Sequence, residues 1–454
     1  MKSENGGPGG SPDAAQGGVQ PRIIPQTEHP IREKDIDQEA LKVLYRLRDA
    51  GFAGYLVGGG VRDLYLNKRP KDFDVSTDAR PGQLRRLFRN SRTIGRRFRL
   101  VQVFFRGNKI IEVSTLRSQG EPDADASDAI LPSNNTFGTL EEDAFRRDLT
   151  INSLFYEIEN KTIIDYVGGV EDLDRKIIRI VGEPERRIIR DPVRMLRAIR
   201  HAARNRFHIE EQSWQAILRH REKLTLCPPS RIRDELLKDL HSGAAASWFD
   251  VATRSSIFYV LLPCYEKLFV HQDDRESYNS LRKLLAVIDR LYTDPDHGED
   301  VVIPDHMLFA VMLLPWMQHC FGLLDRESVR GSYHKLALAI RDELDVWFGE
   351  KFNIRRMIRQ SMVTLFVHLP TFIRCLKKGK WPAKLQKKSY FADCSRFAMI
   401  CHEAEGGRQT DVALFVASGT GKSLRSRGKN RPGRRGINPA FSSRKQGVFG
   451  LRQV

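Results

Sequence analysis

A small mixed α/β head followed by an all-α neck and body is the fold class this sequence predicts, and three observations carry the prediction. Short β-rich runs are confined to residues 53–167. Beyond Pro184 they give way to long amphipathic windows at helical spacing. A chain of 454 residues also exceeds one domain of about 100–200 residues, so two or three packed units are expected.

Taken in order, residues 1–30 are Gly-rich and broken by Pro8, Pro12, Pro21, Pro25 and Pro30, a composition expected to stay disordered. Over 35–49 the positions Ile36, Ala40, Leu41, Val43, Leu44 and Leu47 recur at helical spacing until Gly51 stops them. The β-runs follow at 55–57, 73–75, 99–105, 109–113 and 154–156, with a helix expected over 81–88. Residues 119–135 are acidic and poor in apolar side chains, and read as a mobile loop. The head is therefore placed at 35–170, a helical neck at 171–240 and a helical body at 241–405. Residues 406–454 end in a basic tail: from Lys422 onward ten Lys or Arg and no Asp or Glu, interrupted by Gly and Pro, cannot build a core.

A formal charge of +18 points to a polyanionic partner, without choosing between nucleic acid and an anionic membrane. No stretch approaches the roughly 20 apolar residues of a membrane-spanning helix, and the leader lacks the apolar core of a secretion signal. The expected compartment is the cytoplasm. Six cysteines, none in a Cys-x-x-Cys pair, read as ordinary buried thiols.

The chemistry gathers in the head. At Leu56-Val57-Gly58-Gly59-Gly60-Val61-Arg62-Asp63 an apolar strand runs into glycines and then a helix-compatible segment. Such a turn lets backbone N–H groups approach phosphate oxygens, although by itself it is more often only a tight turn. Twelve residues after Gly59 begins Lys71-Asp72-Phe73-Asp74-Val75. Positions i and i+2 of a strand share a face, so Asp72 and Asp74 are expected to converge, and two convergent carboxylates need a cation. Magnesium suits them, and two ions there would activate a hydroxyl and steady a leaving pyrophosphate. Glu112, set among Ile110, Ile111 and Val113, faces either solvent or that same site. Arg146, Arg147, Asp148 and Asn152 form a polar cluster whose arginine forks suit triphosphate oxygens, with a surface ion-pair cluster as the competing reading. Asp191 and Arg194, three apart, would share a helix face and offer an acceptor and a donor fork to a base edge, or else form an ordinary surface ion pair.

The composite of Val57-Gly58-Gly59, Asp72-Phe73-Asp74-Val75 and Ile111-Glu112-Val113 resembles the polymerase-β-like nucleotidyltransferase signature. Gly58–Asp63, Arg146–Asn152, Asp165-Tyr166-Val167-Gly168-Gly169 and Asp191–Ala198 resemble the motifs of its class II branch, which contains bacterial poly(A) polymerases and CCA-adding tRNA nucleotidyltransferases. The likeness runs from about Tyr55 to Leu240. It implies a polymerase-β-like head and template-independent addition of nucleotides to RNA 3′ ends. It implies Asp72, Asp74, Asp148 and Glu112 as catalytic acids, with Asp72 and Asp74 holding magnesium. Gly58, Gly59, Arg62, Asp63, Arg147, Asn152, Asp191, Arg194 and Arg197 are implied as nucleotide-binding. The family usually carries Glu-Asp-x-x-Arg at the base-reading motif, and here Arg190 replaces the Glu.

Between the two activities, Gly95-Arg96-Arg97-Phe98-Arg99-Leu100 and the basic tail resemble the poly(A) pattern, since CCA-adding enzymes usually carry a shorter Gly-x-x-Phe-Gly. ATP is the expected substrate and RNA 3′ ends the expected partner, held by the helical body and the tail. The alternatives are a CCA-, CC- or A-adding enzyme and, in another class, a catalytically inactive RNA-binding protein on the same scaffold. Ser418-Gly419-Thr420-Gly421-Lys422-Ser423 mimics a P-loop end, but the first glycine that motif needs would fall at Val416.

Overall fold

The structure, a computed structural model, describes residues 19–95, 99–118, 137–272, 274–324, 333–349 and 351–416. The first part of the leader, the acidic loop and residues 417–454 of the expected tail lie outside the described residues, whereas 406–416, expected to belong to a disordered tail, are ordered, with Thr410, Val412 and Phe415 buried. The chain divides into two compact units, Met1–Leu173 and Asp174–Val454.

The first unit is built on an eight-stranded sheet. Its strands are β1 (Arg22–Ile24), β2 (Gly54–Val57), β3 (Asp74–Thr77), β4 (Ser91–Ile94), β5 (Leu100–Phe104), β6 (Ile110–Thr115), β7 (Leu154–Glu157) and β8 (Thr162–Asp165). They lie in the order β1-β8-β7-β2-β3-β6-β5-β4. Only β3 and β6 pair in parallel, and the other ladders are antiparallel. One face is covered by α1 (Gln38–Asp49), which buries Ala40, Val43, Leu44 and Leu47 against β2, β3 and β6. Asp37 starts that helix by accepting from the Glu39 and Ala40 N–H groups at 3.0 and 3.3 Å, which is why it begins later than its apolar spacing suggests. A Cβ at Gly54 would stand 3.2 Å from Leu47, so glycine lets helix and sheet close together. The head also carries α2 (Gly59–Tyr65), α3 (Pro81–Leu87) and α4 (Leu140–Arg146). Val57 and Phe155 pair across β2 and β7 and pack with Leu116 and Ala144, so α4 caps the face opposite α1.

Three expectations are corrected here. Residues 19–30 are ordered, not part of a disordered leader: β1 extends the sheet, pairing Ile23 with Ile164, and Ile24 and His29 are buried. Apolar Ile24 gains burial, and the His29 ring bonds the Lys161 carbonyl at 2.9 Å. Asp72 lies outside the strand, because the last rung is Val57 opposite Asp74. Beyond that rung the chain leaves β2 at Gly58 (φ 68°, ψ −135°), so Phe73 and Asp72 have no ladder partner. Of the cysteines, Cys264, Cys394 and Cys401 are buried, but Cys320 is exposed near the end of its helix.

The second unit opens with α5 (Gly169–Asp174), which begins in the first, and β9 (Ile177–Ile178). It continues with α6 (Pro184–Arg190), α7 (Val193–Asn205), β10 (His208–Ile209), α8 (Glu211–His220) and α9 (Pro229–Leu240). β9 and β10 form a two-stranded parallel ladder. Then come α10 (Ala245–Arg254), α11 (Ile257–Leu261), α12 (Cys264–Glu266), α13 (Arg275–Tyr292), α14 (Asp305–Phe321), α15 (Tyr333–Leu344), α16 (Arg356–Lys377), α17 (Ala383–Gln386) and α18 (Phe391–Ala404). Every residue of α14 from Met307 to Pro315 is buried, and α13, α16 and α18 pack round it. A helix apolar on all sides is a core helix here, and no described helix is long and apolar enough to cross a membrane.

Candidate active site

The glycine turn and the acids meet at the β2–β3 end of the sheet. At Gly58 the positive φ is one that a side chain would strain, and it turns the chain straight from β2 into α2. A Cβ on Gly60 would lie 3.6 Å from the Asp72 carbonyl, so the turn seats the Asp72 segment against α2. Asp74 heads β3, and in the parallel ladder it stands directly opposite Glu112 of β6. Side chains at paired positions share a face, so both carboxylates rise from the same side of the sheet. Gln102 of β5, next in that row, donates to Glu112 at 3.0 Å.

These acids burden one another. The Asp74 carboxyl is pushed up to about 7, first by loss of solvent and then by the charges of Glu112 and Asp72, with Arg147 pulling the other way. Asp72 is exposed and Asp74 half-buried, so both stand at the surface of the turn. Two oxygen-donor acids with a third beside them, repelling each other and opposed by a single guanidinium, are a donor set that suits a hard divalent cation. No group of three His, Cys, Asp or Glu side chains among the described residues closes on one metal position. Asp72 and Asp74, at the surface of the turn, are the acids that could hold such a cation together with phosphate oxygens.

Arg147 sits at the C-terminal end of α4 and binds Asp143 one helical turn back at 3.0 Å. It also donates to the Asn152 carbonyl at 3.3 Å and to Ser76 Oγ, next to Asp74 on the same face of β3, at 3.4 Å. Phe155 lies under the guanidinium at 5.1 Å, fixing its plane. A Cβ on Gly58 would stand 3.5 Å from it, so this arginine overhangs the glycine turn. Arg146 reaches the same Asp143 at 3.7 Å. Arg117, just past β6, is lowered to about 10 by burial first and then by Arg146, with Asp143 opposing. Three guanidiniums gathered round this carboxylate form an arginine-rich cluster of the kind that suits polyphosphate oxygens.

Sequence reasoning missed Arg117, Asp143, Ser76 and Gln102. Ser76 and Asp143 were within reach of it, as the i+2 neighbour of Asp74 and the i−4 partner of Arg147. Arg117 and Gln102 carry no local signal. Asp148 is half-buried in the bend just after Arg147, where the Arg146–Asn152 motif leaves α4. Arg62 and Asp63 do not line an open surface: they are 2% and 4% exposed. Arg62 donates to Asp63 at 2.7 Å and to Asn152 Oδ1 at 2.6 Å. This buried lock joins α2 to the 150–152 turn. Asp165 accepts from the Val167, Gly169 and Val170 N–H groups at 2.9–3.0 Å. A Cβ on Gly169 would collide with the Thr150 carbonyl at 2.3 Å, which explains that glycine.

The expected base-reading residues belong to the second unit and form a site of their own there. Asp191 is not on a helix face with Arg194; it is the link between α6 and α7. Pro192 breaks α6 at that point. The two side chains still approach to 4.0 Å, and Arg231 of α9 grips Asp191 Oδ2 at 2.9 Å. Asp191 Oδ1 is buried and accepts no hydrogen bond from the described residues. Arg197, one turn on, turns to Glu235 at 3.5 Å. Arg190 ends α6 exposed.

Residues 54–179 match the model of the poly A polymerase head domain, and 206–269 match a probable RNA and SrmB-binding site of polymerase A. Poly(A) polymerase I of Salmonella typhimurium is 42% identical over 330 residues, covering 71% of this chain and 70% of that protein. The chain belongs to the bacterial poly(A) polymerase family. Haemophilus influenzae poly(A) polymerase I extends the likeness to 87% of this chain and 86% of its own length, at 35% identity. A CCA-adding enzyme of Bacillus subtilis is also 35% identical, but over only 50% of this chain and 56% of itself. The family fold extends to a solved CCA-adding enzyme of Bacillus stearothermophilus with CTP, at a TM-score of 0.58 and 24% identity, covering 82% of this chain and 79% of that one. Membership makes the protein a polynucleotide adenylyltransferase.

Proposed function

We propose that this protein transfers AMP from ATP to RNA 3′ ends without a template, the RNA 3′-oxygen attacking the α-phosphorus and pyrophosphate leaving. The observation that carries this reading is Asp74 opposite Glu112, with Asp72 beside them at the Gly58 turn and Arg147 overhanging it. Asp72 and Asp74 would hold magnesium, which when bound would acidify the 3′-hydroxyl and neutralise the leaving group. Gln102 keeps Glu112 turned into the site. Gly58 and Gly59 let the backbone meet the phosphates, while Arg147, with Arg146 and Arg117, draws the triphosphate in and holds it. Asp148 acts beside them, as the family motif implies. Asn152, pinned by Arg62, positions the sugar. Asp191 and Arg194 read the adenine edge, and Arg197 supports them from the same helix. The cytoplasm, where RNA and ATP are available, is the compartment that fits.

The experiment combines the protein, magnesium, a short unstructured RNA and each nucleotide in turn. Long ladders with ATP alone are the expected result. A CCA-adding activity would instead extend only tRNA ends that lack CCA and stop after a fixed number of additions. The extent of likeness favours the first outcome, since poly(A) relatives match over far more of the chain than CCA-adding ones.

A further inference from the structure

From Lys351 to Ala392 the sequence carries eleven Lys or Arg and no Asp or Glu. Six of these cations, Lys377, Lys378, Lys380, Lys384, Lys387 and Lys388, follow one another from the end of α16 to just past α17. All six are exposed, and none forms an ion pair with any described residue. A folded surface ordinarily intersperses both signs of charge, so an unneutralised run of this density requires a polyanion to relieve it.

The same corner carries a ladder of rings. His368 of α16 stacks on Tyr390, the residue before α18, with centroids 4.2 Å apart and planes 11° from parallel. Tyr333, at the start of α15, also lies near His368, at 6.2 Å and 32°, and its hydroxyl is 3.2 Å from Thr371 Oγ1. Tyr333 is 37% exposed, so the ladder opens to solvent. Lys388 stands close enough to His368 to help burial lower its pKa, which keeps the ring neutral and lets it stack as an arene. Cations on the phosphate path and stacked rings beside it are the two components of a sequence-tolerant single-strand site.

We propose that this corner, Lys377–Lys388 with Tyr333, His368 and Tyr390, holds single-stranded RNA by its phosphates and stacked bases. It lies outside the segment matched as a probable RNA-binding site, which ends at residue 269. An anionic membrane fits less well: of the exposed large apolar side chains only Tyr333 belongs to this corner, and none falls between residues 358 and 416. Trp381, the one large candidate among the lysines, packs against Phe372 and Phe391.

The choice of RNA rests on the proposed adenylyl transfer, and the test separates the two. Binding of the full-length protein to a 20-nucleotide oligoadenylate, and to an abasic oligomer of equal length, is measured by fluorescence anisotropy across a salt series. Replacing Lys377, Lys380, Lys384 and Lys388 by Gln is expected to weaken binding at least tenfold and lower the log–log salt slope by about 3, at roughly 0.7 per lost phosphate contact. The same four changed to Arg should bind as the parent does. His368→Leu with Tyr390→Leu should remove the preference for oligoadenylate over the abasic strand and leave the salt slope alone. Unaltered binding in the Gln variant, with an unchanged melting curve, overturns the proposal. So does loss of binding to phosphatidylglycerol vesicles with RNA affinity intact. If the parent protein adds no nucleotide but the variants still lose RNA, adenylyl transfer fails and this site stands.

Discussion

Asp74 and Glu112 stand opposite each other on adjacent parallel strands, two acids on one face of the sheet with Asp72 close by. That pairing costs folding energy in the metal-free protein, because like charges across a ladder repel and Asp74 has lost much of its solvent. Asp74→Asn is therefore expected to raise the melting temperature of the metal-free protein by about 2–4 °C, as roughly 1 kcal/mol does in units of this size. It should also reduce nucleotide addition by at least about a thousandfold. Magnesium should raise the melting temperature of the parent and not of the variant. A variant that melts lower without metal would show that the repulsion is absent.

Arg147 carries a different burden, since its planar fork meets Asp143, Ser76 and the Asn152 carbonyl at once. A lysine has no such fork. Both Arg147→Ala and Arg147→Lys should therefore lower kcat/KM for ATP by about a hundredfold or more, the range typical of losing one charge-stabilising donor. Steady-state kinetics that find the lysine form near parental activity would reduce Arg147 to a simple positive charge.

Base choice should depend on a residue the sequence does not advertise. Asp191 Oδ2 is held by Arg231, forty positions away on α9, while Oδ1 accepts nothing from the described residues. Arg231→Ala frees the carboxylate to rotate, so the ratio of kcat/KM for ATP over CTP is expected to fall about tenfold, as losing a hydrogen bond to a charged group implies. Asp191→Ala should lower that ratio at least as far. Competition assays with mixed nucleotides check both, and a ratio unchanged in either variant would remove Asp191 from base selection.

How much of this was legible beforehand follows from range. Glycine turns and strand alternation are local, so Gly58, Asp74 and Glu112 could be placed from their neighbours, and the α1 helix from its apolar spacing. β4, with Ser91 and Arg92 in a four-residue edge, and β1, in a proline-rich leader, carry too little apolar signal to be recognised without their partners. Arg117 and Arg231 act through side chains brought near by tertiary packing, which no spacing encodes. Arg62 and Asp63 add a contact that their motif does not advertise, since the two side chains pair with each other in the interior.

The buried trio on α7 and α9 sets a pH dependence. Arg200 bonds Asp239 at 2.5 Å and also Glu235. Burial alone would raise Glu235, but Arg200, Arg197 and Lys238 together bring it down to about 2. Asp239 shares the same arginine, but the charge of Glu235 opposes it and Lys238 adds only a minor pull, while its Oδ2 accepts nothing from the described residues, so burial prevails and raises it to about 7. An acid whose folded pKa lies above its unfolded value of 3.8 takes up a proton on folding between the two. Its contribution to stability is thus fully present below the unfolded value and is lost as pH rises through about 7. Asp239→Asn removes that loss, which sets in above 3.8: its melting temperature should exceed the parent's by an amount that grows from pH 5 to several degrees at pH 8. Glu235 runs the other way, stabilising above its usual 4.5 and ceasing to as pH falls toward about 2, so Glu235→Gln should destabilise at pH 8 and pH 6 alike. Thermal melts of the two variants across pH 5–8 separate these effects. A constant offset for Asp239→Asn over the whole range would mean that Asp239 is ionised throughout, with Arg200 neutralising both acids.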